Sequence, residues 1–148
     1  MNHLLLPVSL LAFVISAAAL VRPASAGEAD DCLRNKMLEG YSQGWSVRTS
    51  TSASLKEGES RVYSVTLYKG AEYQIFACAD AQAVDVRLVL HDADGQVLLN
   101  EDAVDRQPVL TYTAPATATY YVAVHAADTV SDEAKAAIGM AVTWRQSP

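Results

Sequence analysis

What this sequence most clearly lacks is the signature of a catalytic or nucleic-acid-binding protein. Its 148 residues contain three histidines and two cysteines, without the CxxC, HExxH or HxH spacing of zinc sites. Eleven Lys and Arg stand against seventeen Asp and Glu, and no basic run is present, so nucleic acid and anionic membranes are poor partners. We also predict that no serine lies in a nucleophile elbow, the sharp strand-to-helix turn that carries the catalytic serine of many hydrolases. We therefore expect no catalytic residues and no enzymatic activity.

The first 26 residues are predicted to be a secretory signal peptide. An apolar block over residues 4–21 is followed by Ala24-Ser25-Ala26, whose small side chains suit a signal-peptidase site and predict a mature start at Gly27. A block of ~18 apolar residues also nearly spans a bilayer, so an uncleaved membrane anchor is the alternative. We expect a periplasmic or secreted protein.

The two cysteines fit an exported protein. Cys32 and Cys78 both follow the predicted cleavage site, and an even number of cysteines in an oxidising compartment favours a disulfide. The predicted bridge ties the N-terminal segment to a strand and stabilises the fold by up to ~4 kcal/mol in the chain-entropy model. Two buried free thiols are the alternative.

Short runs of alternating apolar residues fill the chain over residues 58–144. Residues i and i+2 of a strand share a face, so each run predicts a strand with one buried side. Many such strands separated by turns predict an all-β fold, an antiparallel β-sandwich. A helix is predicted only over residues 28–41, giving a helical leader (27–45) and a sandwich domain (46–148). The expected core consists of Tyr63, Val65, Leu67, Tyr73, Ile75, Ala77, Val86, Leu88, Leu90, Tyr120, Val122, Val124, Ile138, Met140, Val142 and Trp144, with Phe76 and Leu110 added.

Three sequence elements carry a resemblance to a known family. They are Leu55 and Gly58 ahead of VYSVTL, the segment GAEY over residues 70–73, and ATYYVAV starting at Ala118. With these elements, and with VDVRLVLHDADGQVL and TYTAP between them, residues 54–144 resemble the bacterial pre-peptidase C-terminal domain family.

The resemblance implies a jelly-roll-like β-sandwich of secreted bacterial proteins, often found beside a peptidase domain, that serves in binding, targeting or folding support. The chain departs from the family at Ala118, where glycine is usual, and in an acidic stretch reduced to Asp102 and Asp105. No peptidase domain is recognised beside the sandwich, so we expect a free-standing module.

Candidate binding residues are aromatic side chains outside the expected core. Tyr68, Tyr121 and Trp45 form the predicted ligand-binding set, because exposed rings on a sandwich bind sugars and peptides. The alternatives are that Tyr121 packs under a loop and that Trp45 packs the leader onto the sheet. His91 and His125 occupy strand positions that alternate with the expected core residues, so their side chains should point outward. No further metal ligands accompany them, and we interpret them as surface residues.

Four aspartates surround a predicted hairpin. Asp94-Gly95 is a two-residue turn signal, since glycine accepts the positive φ that a tight turn needs. Asp92, Asp94, Asp102 and Asp105 offer oxygen ligands for calcium, although turn chemistry already explains the Asp-Gly pair. We favour no cofactor and no metal site, with calcium as the alternative.

We therefore favour a non-catalytic binding module for a protein or peptide partner in the cell envelope or outside the cell. The alternative is a carbohydrate-binding module for envelope or extracellular polysaccharide. Tyr68 and Tyr121 side by side would favour a sugar ligand, whereas a long uncovered edge strand would favour a protein.

Overall fold

Two antiparallel sheets packed face to face make up the fold. The computed structural model describes residues 24–148, so the predicted signal peptide lies outside the described residues except for its last three. The sheets have the strand orders β1-β8-β3-β6 and β2-β7-β4-β5. The predicted β-sandwich with one N-terminal helix is confirmed. The elements are α1 (Ala24–Ser42), β1 (Ser46–Lys56), β2 (Ser60–Leu67), β3 (Ala71–Ala79), β4 (Ala83–His91), β5 (Val97–Asn100), β6 (Val109–Thr113), β7 (Ala118–Thr129) and β8 (Lys135–Gln146).

The main core lies between the two sheets and is made by the alternating apolar residues. The predicted inner-face residues are buried, except that Tyr63 and Trp144 are half-buried against the core. Each fully buried Leu, Val or Ile contributes roughly 1.5–3 kcal/mol by leaving water. Phe76 is buried as well, but on the opposite face of β3, in a second cluster with Leu33.

Helix α1 covers the outer face of the first sheet, over β3 and β8. Leu33 packs directly on Gly139 of β8, where an added Cβ would lie 3.0 Å from the Leu33 Cδ2. Glycine at this position therefore lets the helix lie close to the sheet. The predicted disulfide between Cys32 of the helix and Cys78 of β3 is present.

The β4–β5 hairpin forms, but its turn lies one residue earlier than predicted. The Gly95 N–H donates to the Asp92 carbonyl at 3.0 Å, so Ala93 and Asp94 are the central turn residues. Gly95 follows them with φ of 81°, and the register shifts between Leu90 and His91. A turn followed by a positive-φ glycine and a bulge is a common three-residue hairpin connection.

The long edge strands of both sheets lie on one side of the sandwich. β1 and β2 are joined by the tight turn at Gly58, and each pairs with a single neighbour, β8 or β7. The helix packs on the face of the first sheet, and no other strand of the described residues pairs with the outer edge of β1. Over residues 24–148, no helix is long and apolar enough to cross a membrane.

Candidate functional site

A cavity of about 490 Å³ opens at the end of the sandwich where β1 begins and β8 ends. Strands of the first sheet form it together with the β2–β3 turn, which crosses from one sheet to the other at this end. We call this cavity the basic pocket. It is lined by Arg48, Tyr68, Lys69, Gly70, Ala71, Tyr73, Trp144 and Gln146.

A β-bulge in the edge strand places Arg48 at the pocket. Val47 pairs with Thr143 and Thr49 pairs with Val142, so Arg48 is an extra residue without a partner of its own on β8. Bulges bend a strand and redirect a side chain. The Arg48 guanidinium carbon lies 5.3 Å from the centre of the Tyr68 ring, which follows β2 of the other sheet. This cation–π contact joins the two sheets at the pocket.

Hydrogen bonds hold the β2–β3 turn that forms one wall of the pocket. The buried Tyr73 hydroxyl accepts the Tyr68 N–H at 2.8 Å. The Lys69 N–H donates to Thr117 Oγ1 at 2.9 Å. Because its backbone is anchored at two successive residues, the turn presents Tyr68 and Lys69 in a fixed arrangement.

The pocket concentrates positive charge on an acidic protein. The described residues that line it include Arg48 and Lys69 and no carboxylate, whereas the whole chain carries a net charge of −6. In the part of the chain that the structure describes, the ion pairs of Arg34, Arg87, Arg106 and Arg145 involve neither pocket cation. An anionic group entering the pocket would therefore meet two cations without carboxylate partners.

The structure separates the three aromatic residues predicted to bind ligand. Tyr68 lines the basic pocket. Tyr121 lies on the outer face of the second sheet, opposite Ser64 of β2 and His91 of β4. Trp45 is only 6% exposed, and the Arg145 guanidinium lies 4.4 Å from the centre of its ring. Trp45 thus packs the leader onto the sheet, and the three rings do not form one platform.

The two histidines lie on the second sheet, away from the pocket. His91 Nδ1 is 3.2 Å from the Gly95 carbonyl oxygen. His125 Nδ1 is 2.6 Å from Ser60 Oγ, a pair that only the β2–β7 register reveals. Among the described residues, the side chain that His125 contacts by a hydrogen bond is Ser60, and no carboxylate is paired with its ring.

A serine-hydrolase pattern occurs in the chain but has the wrong structural context. Residues 40–44, GYSQG, match the letters of GxSxG. The nucleophile elbow of that motif connects a strand to a helix. Here the residues end α1, and Ser42 Oγ donates to the Glu39 carbonyl at 2.7 Å. The match therefore describes a helix terminus.

The aspartates considered for calcium make local hydrogen bonds. Asp92 Oδ1 accepts the N–H groups of Asp94 and Gln96, each at 2.9 Å, which shapes the hairpin turn. Asp102 accepts the Asn100 side-chain amide, and Asp105 accepts a backbone N–H two residues on. Within residues 24–148, no three His, Cys, Asp or Glu side chains are grouped to hold a metal ion.

The end of the sandwich opposite the pocket is acidic. Glu57, in the β1–β2 turn, has its pKa raised above 4.5, chiefly by a side-chain hydrogen bond with Asp128 and also by the charges of Asp128 and Asp132. A hydrogen bond from the Thr129 backbone acts in the opposite direction. The two ends of the protein therefore differ in the sign of their charge.

Glu57→Gln should raise the melting temperature slightly at pH 7 and change it little well below pH 4.5, where Glu57 is protonated and glutamine has the same shape and charge. Since the folded state raises the pKa of this carboxyl, its contribution to stability is present at low pH and is lost as the pH rises through the folded pKa. Melting curves from pH 3 to pH 8 measure the difference. Glu39→Gln, which removes an exposed carboxyl on α1, is the control, and equal pH profiles for the two variants would contradict the interaction with Asp128.

Comparison with known proteins identifies the sandwich. Residues 59–126 match the family model of the bacterial pre-peptidase C-terminal domain. The fold is similar to that domain of a collagenase from Bacillus anthracis, with 18% identity, a TM-score of 0.51, and coverage of 65% of this chain and 89% of the other. It is also similar to PliG of Aeromonas hydrophila, a periplasmic inhibitor of g-type lysozyme, with 9% identity, a TM-score of 0.43, and coverage of 64% and 84%.

These comparisons confirm the resemblance predicted from the sequence. The structure is a β-sandwich, and its residues 59–126 match the model of the bacterial pre-peptidase C-terminal domain. A comparison with curated proteins found no significant match. At the identities of the two solved structures, the likeness concerns the fold alone.

Proposed function

We propose that this chain is a non-catalytic module that binds a protein partner, in the periplasm or outside the cell, by pairing with an extended peptide segment at the edge of β1. The observation that carries the proposal is the free edge of β1. This strand has 11 residues and, within residues 24–148, pairs only with β8. An extended peptide can add to such an edge through main-chain hydrogen bonds.

The sequence of β1 offers little protection against strand addition. Proteins commonly block an exposed edge with proline, with charged side chains or with a covering element. β1 is SVRTSTSASLK, which contains no proline and carries only Arg48 and the terminal Lys56 as charges. Ser50, Ser52 and Ser54 are exposed, and from Thr49 to Lys56 the register with β8 is continuous. From Thr49 to Leu55 the edge therefore presents an uncharged segment without a bulge, about two dozen ångströms long at ~3.3 Å per residue.

Two further observations support binding outside the cytoplasm. The match to a domain family of bacterial pre-peptidases concerns exported proteins, and the Cys32–Cys78 disulfide suits an oxidising compartment. The carbohydrate alternative depends on adjacent exposed rings, and Tyr68 and Tyr121 lie on different faces. We therefore rank polysaccharide second.

Charged substitutions in β1 test the proposal. The variant Ser50→Lys with Ser52→Lys should lose at least tenfold of the binding to the native partner, because lysine on an edge strand disfavours strand addition. The matched control is Thr111→Lys with Thr113→Lys, which places two lysines on exposed positions of β6, the other edge of the same sheet. This control should bind like the wild type.

Binding is measured by cross-linking pull-down from native envelope and culture medium, followed by affinity measurement with the purified partner. Equal loss in both double variants would show that β1 has no special role. Retention on envelope polysaccharide without a protein partner would put the carbohydrate alternative first.

A further inference from the structure

We infer that the basic pocket binds the carboxylate of an acidic residue in the partner's extended segment. The inference rests on the proposed function, since it concerns the same peptide at the same edge, and it names the side chain that the peptide must carry. The acidic residue is Asp or Glu, or the C-terminal residue of the partner.

The charge and geometry of Arg48 suit a carboxylate ligand. Its guanidinium lies over the Tyr68 ring at 5.3 Å, and a guanidinium in such a contact keeps its N–H donors free at its rim. Those donors match the two oxygens of a carboxylate, and charge-assisted bonds of this kind are about twice as strong as neutral ones. Lys69, on the same wall as Tyr68, supplies a second positive charge.

The size and walls of the pocket suit a carboxylate that is part of a larger organic group. About 490 Å³ is more than a single carboxylate fills and lies within the range of small-ligand sites, roughly 300–1,000 Å³. Tyr68 and Trp144 give the cavity partly apolar walls. The pocket therefore suits a carboxylate that arrives on an organic body, such as an acidic side chain with its neighbouring residue, better than a bare inorganic anion.

The position of the pocket selects a peptide as the ligand. Arg48 belongs to β1, the strand proposed to accept the peptide, and it is the bulged residue of that strand. A segment paired along β1 would therefore pass the pocket at one end. In this mode of recognition, main-chain bonds supply affinity and side-chain pockets supply specificity.

The charge at the opposite end supports the same orientation. At the other end of β1, the carboxylates of Glu57, Glu59, Asp128 and Asp132 outnumber the paired cations Lys56 and Lys135. The two cations of the pocket attract a negative side chain. An acidic segment is thus steered to the Arg48 end of the edge.

A matched pair of peptides tests the inference by NMR titration of the ¹⁵N-labelled exported protein. The probes are acetyl-Thr-Val-Glu-Val-Thr-amide and its Gln counterpart, which differ by one carboxylate. The Glu peptide should shift the amides of Lys69, Gly70 and Ala71 and the Trp144 indole, and it should bind at least tenfold more tightly than the Gln peptide. Arg48→Met and Lys69→Met should each weaken the Glu peptide about tenfold and leave the Gln peptide unaffected.

The control variant is Lys135→Met, which removes the same charge from an exposed position at the far end of β8 and should bind like the wild type. Equal affinity for the two peptides would refute recognition of a carboxylate. Methyl glucuronide is the third probe, and shifts with it but not with the Glu peptide would overturn the peptide as the source of the anion. Native-partner binding that survives Arg48→Met with Lys69→Met but not the β1 lysines would sink this inference and leave the proposed function standing.

Discussion

Loss of the Cys32–Cys78 disulfide should lower the free energy of unfolding by ~4 kcal/mol and the melting temperature by roughly 15 °C. The bridge joins residues 46 apart in sequence. In the chain-entropy model, a crosslink over a loop of this length removes many conformations from the unfolded chain, which raises its free energy relative to the folded state. Loss of the disulfide should therefore act mainly by lowering the free energy of the unfolded chain.

Two samples separate the crosslink from the packing of the sulfur atoms. Cys32→Ala with Cys78→Ala removes both, whereas the chemically reduced wild-type protein keeps both side chains and loses only the bond. Equilibrium denaturation should show a similar loss of stability for the two samples. If reduced wild-type protein unfolds at the same denaturant concentration as the oxidised protein, the entropic account is wrong.

The disulfide also connects to the proposed binding site through helix α1. Cys32 lies near the middle of the helix, and the chain leaves the C-terminal end of the helix through Trp45 into β1. Trp45 is fixed by Arg145, whose guanidinium also bonds Glu72 at 2.7 Å. The helix therefore anchors the first residues of the edge strand, immediately before the bulge at Arg48.

The alternation of apolar residues was sufficient to predict the sandwich. It marks the side chains that are buried between the two sheets, and their burial holds the sheets together. Val86, Leu88 and Leu90 of β4 are buried at every second position. Phe76 was also predicted to be buried, and it is, but it lies in the second cluster, on the face of β3 opposite to Ile75. β3 is covered on both sides, by the second sheet and by α1, and parity within one strand gives no information about a helix that packs later.

The basic pocket was not predictable from the sequence, because its residues meet only through tertiary pairing. A β-bulge brings Arg48 to Tyr68. The position of this bulge depends on how β1 pairs with β8, and the paired residues are nearly a hundred positions apart in the chain. Parity marked Tyr68 and Tyr121 as outside the core, but a sandwich has two outer faces and two ends. Trp45 precedes the first strand, so its burial depends on how the helix docks.

Asp80→Ala should be the most destabilising single substitution of a polar side chain that we predict, at about 3 kcal/mol. Asp80 is fully buried at the end of β3. Its Oδ1 accepts the Gln82 N–H at 3.0 Å, and its Oδ2 accepts the Ala137 N–H at 3.2 Å. Alanine would leave two part-buried backbone donors without acceptors, each costing about 1–3 kcal/mol.

The Asp80 side chain connects two parts of the fold. Asp80 links the β3–β4 turn to the first residues of β8, and its own N–H donates to the Ala137 carbonyl at 3.0 Å. Asp80→Asn keeps one acceptor oxygen and should lose about half as much stability as Asp80→Ala. Asp102→Ala, at an exposed position, is the control and should change the unfolding free energy by less than ~0.5 kcal/mol. Denaturation curves in which Asp80→Ala and Asp102→Ala coincide would mean that solvent replaces both hydrogen bonds, and that this end of the sandwich does not depend on the buried carboxylate.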